Sequence, residues 1–292
     1  MKKYLFLLLI IQACTNYDPK VLSEKEYLAY GNKLVKAIKL KNNKTIENQF
    51  NLADTFEQLE HQIDSSKLRF KTPKKILNTY KGEINQDFSV YVEALLGLIN
   101  KDAIVEVTKY YTIEEHPHII ILVYSSIGYD IVDFELKTIG KQTFITNYLS
   151  YNTGIDFSES FVWNAINFLE YGKYKGEYNV ALSELKNAND YMEIEEPENA
   201  WIAINRVPEE FLYHSNFQMV RNTIALTLSD SLYAESMYDW IGYNWDMEGF
   251  RYLKAMQFYT YFEDSIEAAN YFDSLKMIVG NNSILNKLKE VN

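Results

Sequence analysis

The spacing of apolar residues along the chain changes twice. Up to about residue 80, apolar side chains recur every three or four positions, which is the period of an amphipathic helix. The run Phe88–Ile99 is apolar enough for a helix or a strand, and a helix is favoured. Ser23 and Glu26 have the spacing of a capping box at the start of the first helix. The apolar face predicted for that helix consists of Tyr27, Gly31, Leu34 and Ile38.

Four segments rich in β-branched and aromatic residues follow at intervals of about ten residues. These predicted strands are Ile104–Tyr111, Ile119–Tyr124, Tyr129–Leu136 and Thr143–Tyr151. The breaks between them contain Pro117, Gly128 and Gly140, which are typical of turns. Short connections of this kind predict a four-stranded antiparallel meander with helices packed on one face.

After Gly154 the helical period returns and continues to the end of the chain. The change of period predicts a boundary near Asp156–Ser158. The predicted fold is therefore an α+β domain over residues 22–157, followed by an all-α domain of helical hairpins over residues 158–292.

The N-terminus contains a short apolar run, Tyr4–Ile11, which follows Lys2 and Lys3 and precedes Ile11-Gln12-Ala13-Cys14. A run of this length is too short to cross a hydrocarbon core of roughly 30 Å as a helix. The pattern resembles a bacterial lipoprotein signal peptide. The resemblance implies a signal peptide over residues 1–13, a lipid on the sulfur of Cys14 and a tether over residues 14–21. The alternative is an ordinary buried thiol in a cytosolic protein.

The third and fourth predicted strands, Tyr129–Leu136 and Phe144–Leu149, have the pattern of curved strands that end in an aromatic region. With the preceding helices, they make residues 22–157 similar to the cone-shaped fold of the nuclear transport factor 2-like superfamily. A generic α+β sandwich is the alternative for this region.

The helical region contains apolar positions that recur 34 residues apart. Ala234, Tyr238 and Ile241 correspond in this way to Ala268, Phe272 and Leu275. Together with Tyr252, Ala255 and Tyr259, the second set resembles the tetratricopeptide repeat. The resemblance implies paired antiparallel helices that touch closely at Ala234 and Ala268, and a non-repeating helical bundle is the alternative. The segment Val207–Gly280 is also similar to the helical tail of Bacteroidetes lipoproteins.

Composition and motifs narrow the function classes. The formal net charge of −11 argues against sequence-independent nucleic-acid binding, which requires a basic surface. With Cys14 as the only cysteine, thiol nucleophiles and cysteine–zinc sites are excluded from the rest of the chain. The common hydrolase, metalloprotease and nucleotide-binding motifs are missing. The sequence therefore predicts a protein that is not an enzyme and has no catalytic residue, metal or cofactor.

Three clusters have both a chemical and a structural interpretation. His116-Pro117-His118, after Glu114 and Glu115, either holds a metal ion or forms a polar β-turn. Ser183-Glu184-Leu185-Lys186 matches the serine-nucleophile pattern S-x-x-K, but a solvated helix face is the favoured interpretation. The acidic run Glu193–Glu198 has a structural explanation, because Pro197 can start a helix whose N-terminus favours carboxylates.

Asp133 and Glu135 share one face of the third predicted strand. They either line a cavity enclosed by the sheet, as polar groups do in nuclear transport factor 2-like enzymes, or belong to a solvated face, which is the favoured interpretation.

The predicted function is protein–protein interaction through helical repeats, by a lipid-anchored lipoprotein of the bacterial cell envelope, with the outer membrane as the expected site. The expected partners are an envelope protein and the membrane itself. One alternative is a small-ligand or glycan-binding module that uses the sheet cavity and surface aromatics. The least favoured alternative is an enzyme with Asp133 or Glu135 as general base.

Overall fold

The structure, a computed structural model, describes residues 21–57, 92–93, 96–161 and 177–291. In these ranges helices come first, then four strands, and then a series of helices to residue 291. The first helices are α1 (Glu24–Lys39) and α2 (Asn43–Glu47). The strands are β1 (Ile104–Ile113), β2 (His116–Ser125), β3 (Gly128–Ile139) and β4 (Gln142–Ser150). The later helices are α3 (Glu177–Glu193), α4 (Pro197–Ile204), α5 (Glu209–Leu212), α6 (Ser215–Leu228), α7 (Asp230–Tyr243), α8 (Glu248–Tyr261), α9 (Ser265–Val279) and α10 (Ser283–Val291).

Helix α1 begins at the capping box that the sequence predicts. The backbone N–H of Ser23 donates to the Glu26 carboxylate at 2.8 Å, so one donor at the helix start finds a partner. The predicted apolar face is buried against the sheet. Gly31 is required at the contact, because a Cβ there would lie 2.8 Å from a methyl group of Val107.

The four strands form the predicted antiparallel meander in the order β1-β2-β3-β4. The assignment of Pro117 to a turn is wrong, because Pro117 lies within β2 and pairs with Thr112. The β1–β2 turn lies instead at Glu114 and Glu115, both of which have positive φ angles. Gly140, also at positive φ, occupies the turn between β3 and β4 as predicted.

Both faces of the sheet are covered, not one as the sequence predicts. Helix α1 packs on one face, where Ile119, Ile121 and Phe134 join a core with Tyr27 and Leu34. On the other face, helices α8, α9 and α10 cover a second core. That core includes Ile120, Leu122, Ile131, Tyr151, Leu253, Phe272, Leu275 and Leu285. Strands β2 and β3 are consequently buried on both sides, as the strands of a two-sided layer are.

The helices after the sheet form antiparallel hairpins. Helix α3 packs on α4, α6 on α7, and α8 on α9, while contacts of α4 with α6 and of α7 with α8 join successive pairs. The α+β part followed by helical hairpins agrees with the predicted fold class. The division into domains at residue 157 stays a prediction, and the second core contains residues from both sides of that position.

The buried positions of the hairpins do not follow the predicted 34-residue register in the first unit. Tyr238, expected in the core, is 59% exposed, whereas Met237 and Trp240 are buried. In α9 the buried residues are Phe272, Leu275 and Val279. The set Met237, Trp240 and Asn244 lies 35 residues earlier and is buried in the same way. Helices α7 and α9 also begin 35 residues apart, at Asp230 and Ser265, so burial and helix starts share one spacing.

Candidate functional site

Asp133 is the centre of a polar cluster inside the second face of the sheet. Its side chain is buried, with the residue 7% exposed. One carboxylate oxygen accepts from the hydroxyls of Tyr111 and Tyr151, the latter at 3.1 Å. The other oxygen lies 3.1 Å from Nδ1 of His118. The expectation that Asp133 belongs to a solvated face is therefore wrong.

The register of the sheet brings these four residues together. Tyr111 of β1 lies opposite His118 of β2, and their rings stack at 5.0 Å. His118 in turn lies opposite Glu135, one side-chain position along the same face from Asp133. Tyr151 follows β4 and is held by its backbone N–H, which donates to the Ile131 carbonyl at 2.8 Å.

The two phenols stay protonated, which keeps them hydrogen-bond donors. Burial raises the pKa of Tyr111 well above its usual range, and the neighbouring Asp133 charge raises it further. The pKa of Tyr151 is raised for the same two reasons, with burial first. Asp133 thus accepts hydrogen bonds from side chains of β1 and of the segment after β4 and contacts His118 of β2, which ties these parts of the sheet together.

Glu135 lies on the same face but nearer to solvent. Its Oε1 accepts from the Thr146 hydroxyl at 2.9 Å and lies 3.2 Å from Nδ1 of His116. The side chain of His116 is 62% exposed and that of Glu135 is 29% exposed. The structure therefore brings Asp133 and Glu135 to one face of the sheet. Asp133 is buried and accepts hydrogen bonds from protein hydroxyls, whereas Glu135 is partly exposed to solvent.

The histidine cluster does not form a common ligand set. His116 and His118 point to the same face of β2, yet each pairs with a different carboxylate of β3. In the described part of the chain, no three His, Cys, Asp or Glu residues are arranged to hold a metal ion. The turn alternative is wrong as well, because His116, Pro117 and His118 lie in β2 and the turn consists of Glu114 and Glu115.

The other two sequence clusters have the favoured structural roles. Ser183 and Lys186 lie exposed on α3. Pro197 is in the first turn of α4 and Glu198 follows it, so the acidic run ends at a helix start as predicted.

Two buried cations in the helical region were not predicted from the sequence. The Arg221 guanidinium on α6 pairs with Asp239 at 2.6 Å and Glu235 at 3.2 Å, and lies 5.2 Å from the Trp201 ring. Lys254 on α8 is buried, with its ammonium 4.4 Å from the Trp240 ring centroid. In each case a cation from the first helix of a hairpin lies over a tryptophan of the preceding hairpin, and the negative face of the ring attracts the cation.

A groove of about 320 Å³ lies between α8, α9 and α10. Apolar side chains form much of its lining, from Met256 on α8, Ala268 and Phe272 on α9, and Leu288 on α10. Ala268 is half-buried and lines this groove. The expectation that its methyl group fills all the space between two helices is therefore wrong.

The lipid-attachment site predicted at Cys14 lies outside the described residues. Within residues 21–57, 92–93, 96–161 and 177–291, no helix combines the length and apolar character needed to cross a bilayer. Comparison with known protein families, with curated proteins and with solved structures gives no significant match for this chain.

Proposed function

We propose that this chain is a lipid-anchored protein of the bacterial cell envelope that binds a protein partner through its helical hairpins. The observation that carries the proposal is the open apolar groove between α8, α9 and α10. Grooves of this kind accept apolar side chains of a partner segment, because burial of those side chains supplies binding free energy.

Exposed apolar side chains next to the groove in sequence support the same proposal. Tyr261 is the last residue of α8, Phe262 follows it at the turn before α9, and Ile266 is in the first turn of α9. Ile266 is 72% exposed, and Tyr261 and Phe262 are also exposed. Clustered exposed apolar surface of this kind is typical of interaction sites.

The acidic residues at the same end favour a basic partner. Glu263 lines the groove, and Asp264 and Glu267 lie at the start of α9. The whole chain is also acidic, with a formal net charge of −11. We therefore propose that the partner presents an apolar residue flanked by lysine or arginine, since opposite charges speed association and favour the correct partner.

The hairpin arrangement supports a tetratricopeptide-like character. Three successive helix pairs, α3/α4, α6/α7 and α8/α9, contact each other in order, as the units of a helical repeat protein do. The second helices of these pairs begin at Pro197, Asp230 and Ser265, which gives spacings of 33 and 35 residues. These spacings lie on either side of the 34 residues of the tetratricopeptide repeat.

A ligand cavity inside the sheet has less support. Helices cover both faces of the sheet, and Asp133 accepts hydrogen bonds from its own protein neighbours. The packed sheet favours the interaction function over a sheet-cavity ligand or a general base at Asp133. The proposal includes no catalytic activity.

The groove is tested by filling it. Ala268→Leu adds three carbon atoms to the groove lining, and we expect it to abolish capture of the envelope partner from native membranes while leaving the melting temperature nearly unchanged. Asn270→Leu adds an apolar side chain at an exposed α9 position outside the groove lining, and we expect it to capture the partner as the wild type does. A partner retained equally by both variants, or no partner captured by the wild type, would argue against the groove as the binding surface.

A further inference from the structure

A second, polar pocket lies at the junction between the sheet and the helices, away from the apolar groove. It has a volume of about 140 Å³ and is formed by three segments: the residues after β4, the start of α6 and the end of α7. Its lining includes Asp156, Glu159, Tyr213, His214, Tyr243 and Asn244. The volume corresponds to about five water molecules at roughly 30 Å³ each, so the pocket suits a small ligand or one functional group of a larger one.

Acceptor groups dominate the polar part of the lining. The Asp156 carboxylate accepts from the Glu159 backbone N–H at 2.9 Å and from Asn147 Nδ2 at 2.7 Å. The Glu159 carboxylate has no hydrogen-bond or ion-pair partner among the residues that the structure describes. A ligand that offers donors would therefore complete the contacts of these acceptors.

Asn244 adds a further acceptor to the lining. The residue is only 7% exposed, and its Nδ2 donates to the Trp240 carbonyl at 2.9 Å. Its Oδ1 accepts no hydrogen bond from any part of the chain that the structure describes, and it is not one of the fully buried atoms without a partner. Because Asn244 lines the pocket, a ligand there can donate to this accessible oxygen.

Two tyrosines form an aromatic wall on the same pocket. Tyr213 and Tyr243 are 42% and 50% exposed, and their ring centroids are 5.7 Å apart. Neither hydroxyl makes a hydrogen bond within the described chain. Exposed aromatic rings that adjoin carboxylates attract cations through their negative faces.

The described part of the lining carries negative charge. Among the residues that the structure describes, it contains two carboxylates and neither lysine nor arginine. Burial lowers the pKa of His214 to about 4, so this side chain is neutral at pH 7. Burial raises the pKa of Glu159, and the neighbouring Asp156 charge raises it further.

We propose that this pocket binds a small organic molecule that carries an ammonium group. The ammonium N–H donors bind the carboxylates of Asp156 and Glu159 and the Oδ1 of Asn244, and the apolar body of the ligand lies against Tyr213 and Tyr243. The proposal is independent of the groove between α8, α9 and α10, because none of the residues that line the groove also lines the pocket.

The test compares two probes of one shape in isothermal titration of the full chain. Cyclohexylamine is protonated at pH 7, whereas cyclohexanol has the same ring and no charge. We expect cyclohexylamine to bind at least tenfold more tightly than cyclohexanol, and raised salt to weaken only the cyclohexylamine complex. Glucose serves as a third probe, because a hydroxyl-rich ligand could also use the acceptors.

Variants locate the site. Glu159→Gln removes a negative charge that makes no hydrogen bond or ion pair within the described chain. Tyr243→Ala removes one of the two aromatic rings. We expect each variant to weaken cyclohexylamine binding at least fivefold without changing the melting temperature. Glu193→Gln, which removes an exposed carboxylate at the end of α3 that lines neither the pocket nor the groove, is the matched control and leaves binding unchanged. Equal binding of the two cyclohexyl probes, tighter binding of glucose, no saturable binding of cyclohexylamine, or binding unaffected by Glu159→Gln would each overturn the proposal.

Discussion

Asp133 and Glu135 lie two residues apart on one face of β3, and their surroundings give them different roles. Asp133 accepts from two buried phenols and contacts His118, whereas Glu135 contacts Thr146 and an exposed histidine. A buried donor that loses its acceptor costs more free energy than an exposed one, because water cannot replace the lost partner. Asp133 therefore contributes to stability far more than Glu135.

Asp133→Ala is expected to lower the free energy of unfolding by about 1–3 kcal/mol, because it leaves the hydroxyls of Tyr111 and Tyr151 without their acceptor. Glu135→Ala, the matched control on the same strand face, is expected to cost less than about 1 kcal/mol, since water can solvate the exposed His116 and the Thr146 hydroxyl can still donate to the Glu135 backbone carbonyl. Urea unfolding at pH 7 measures both values. Equal losses for the two variants would mean that the cluster around Asp133 adds no special stability.

Lys254 gives the chain a pH-dependent stability. Burial lowers the pKa of its ammonium to about 7, and Asp130 partly opposes the shift. Between pH 7 and 9 the unfolded chain keeps a proton on this lysine that the folded chain releases, so stability increases with pH in this window. The slope approaches about 1.4 kcal/mol per pH unit, the maximum for one proton.

Lys254→Met is expected to remove this increase, and the exposed Lys33→Met on α1 is expected to keep it. The measurement is the free energy of unfolding of both variants and the wild type at several pH values between 7 and 9. If the wild type and Lys254→Met show the same slope, the buried lysine is not the group that titrates.

The sequence predicts Asp133 as a polar residue of one strand face but not its partners. Tyr111, His118 and Tyr151 lie 22, 15 and 18 residues from it along the chain. They meet Asp133 only because of the register of β1, β2 and β3, and register depends on the packing of both sheet faces. Lys254 was missed for a similar reason, since its burial depends on the contact between α8 and the end of the sheet.

At the level of elements, the sequence predicts the positions of the strands but not the helices that cover the second face of the sheet. The β-branched runs locate β1 to β4 within a few residues, because local propensity and turns decide where strands form. The uninterrupted apolar run Ile119–Val123 is typical of a strand buried on both faces, and it is the signal for the second helical layer. The predicted helix spacing failed in α7 because loop lengths shift the register between hairpins.

The contact between α8 and the sheet depends on Gly249. A Cβ at this position would overlap the ring of Tyr151, whose hydroxyl donates to Asp133. Gly249→Ala is expected to lower stability by about 1–3 kcal/mol, the usual cost of overpacking. Thermal unfolding followed by circular dichroism measures the effect.

Gly242 on α7 is the matched control for this substitution. It is exposed, and a Cβ there would meet no atom within 4 Å. Gly242→Ala is therefore expected to stabilise the chain by about 0.5–1 kcal/mol through reduced backbone entropy of the unfolded state. Equal changes in stability for Gly249→Ala and Gly242→Ala would show that the contact between α8 and Tyr151 has room for a Cβ.

At the level of the whole molecule, the sheet and the last helices share one core. Ile120 and Ile131 of the sheet pack with Leu275 of α9 and with Leu285 of α10. Lys109 of β1 also donates to the Met277 carbonyl at 2.6 Å. The groove proposed for a protein partner is formed by α8, α9 and α10, which also cover the sheet. Packing against the sheet therefore fixes the positions of the helices that line the groove.

The proposed lipid on Cys14 determines where that groove operates. A tether over residues 14–21 reaches at most about 29 Å when fully extended, so the folded part would stay close to the membrane surface. Cys14→Ser is expected to move the protein from the membrane to the soluble fraction or to block its maturation, because several acyl chains are needed for stable attachment. Thr15→Ser, an equally small change one residue later, is expected to remain in the membrane fraction. Unchanged detergent-phase partitioning of Cys14→Ser would contradict lipid anchoring and would leave the groove as the surface of a protein held in the envelope by other means.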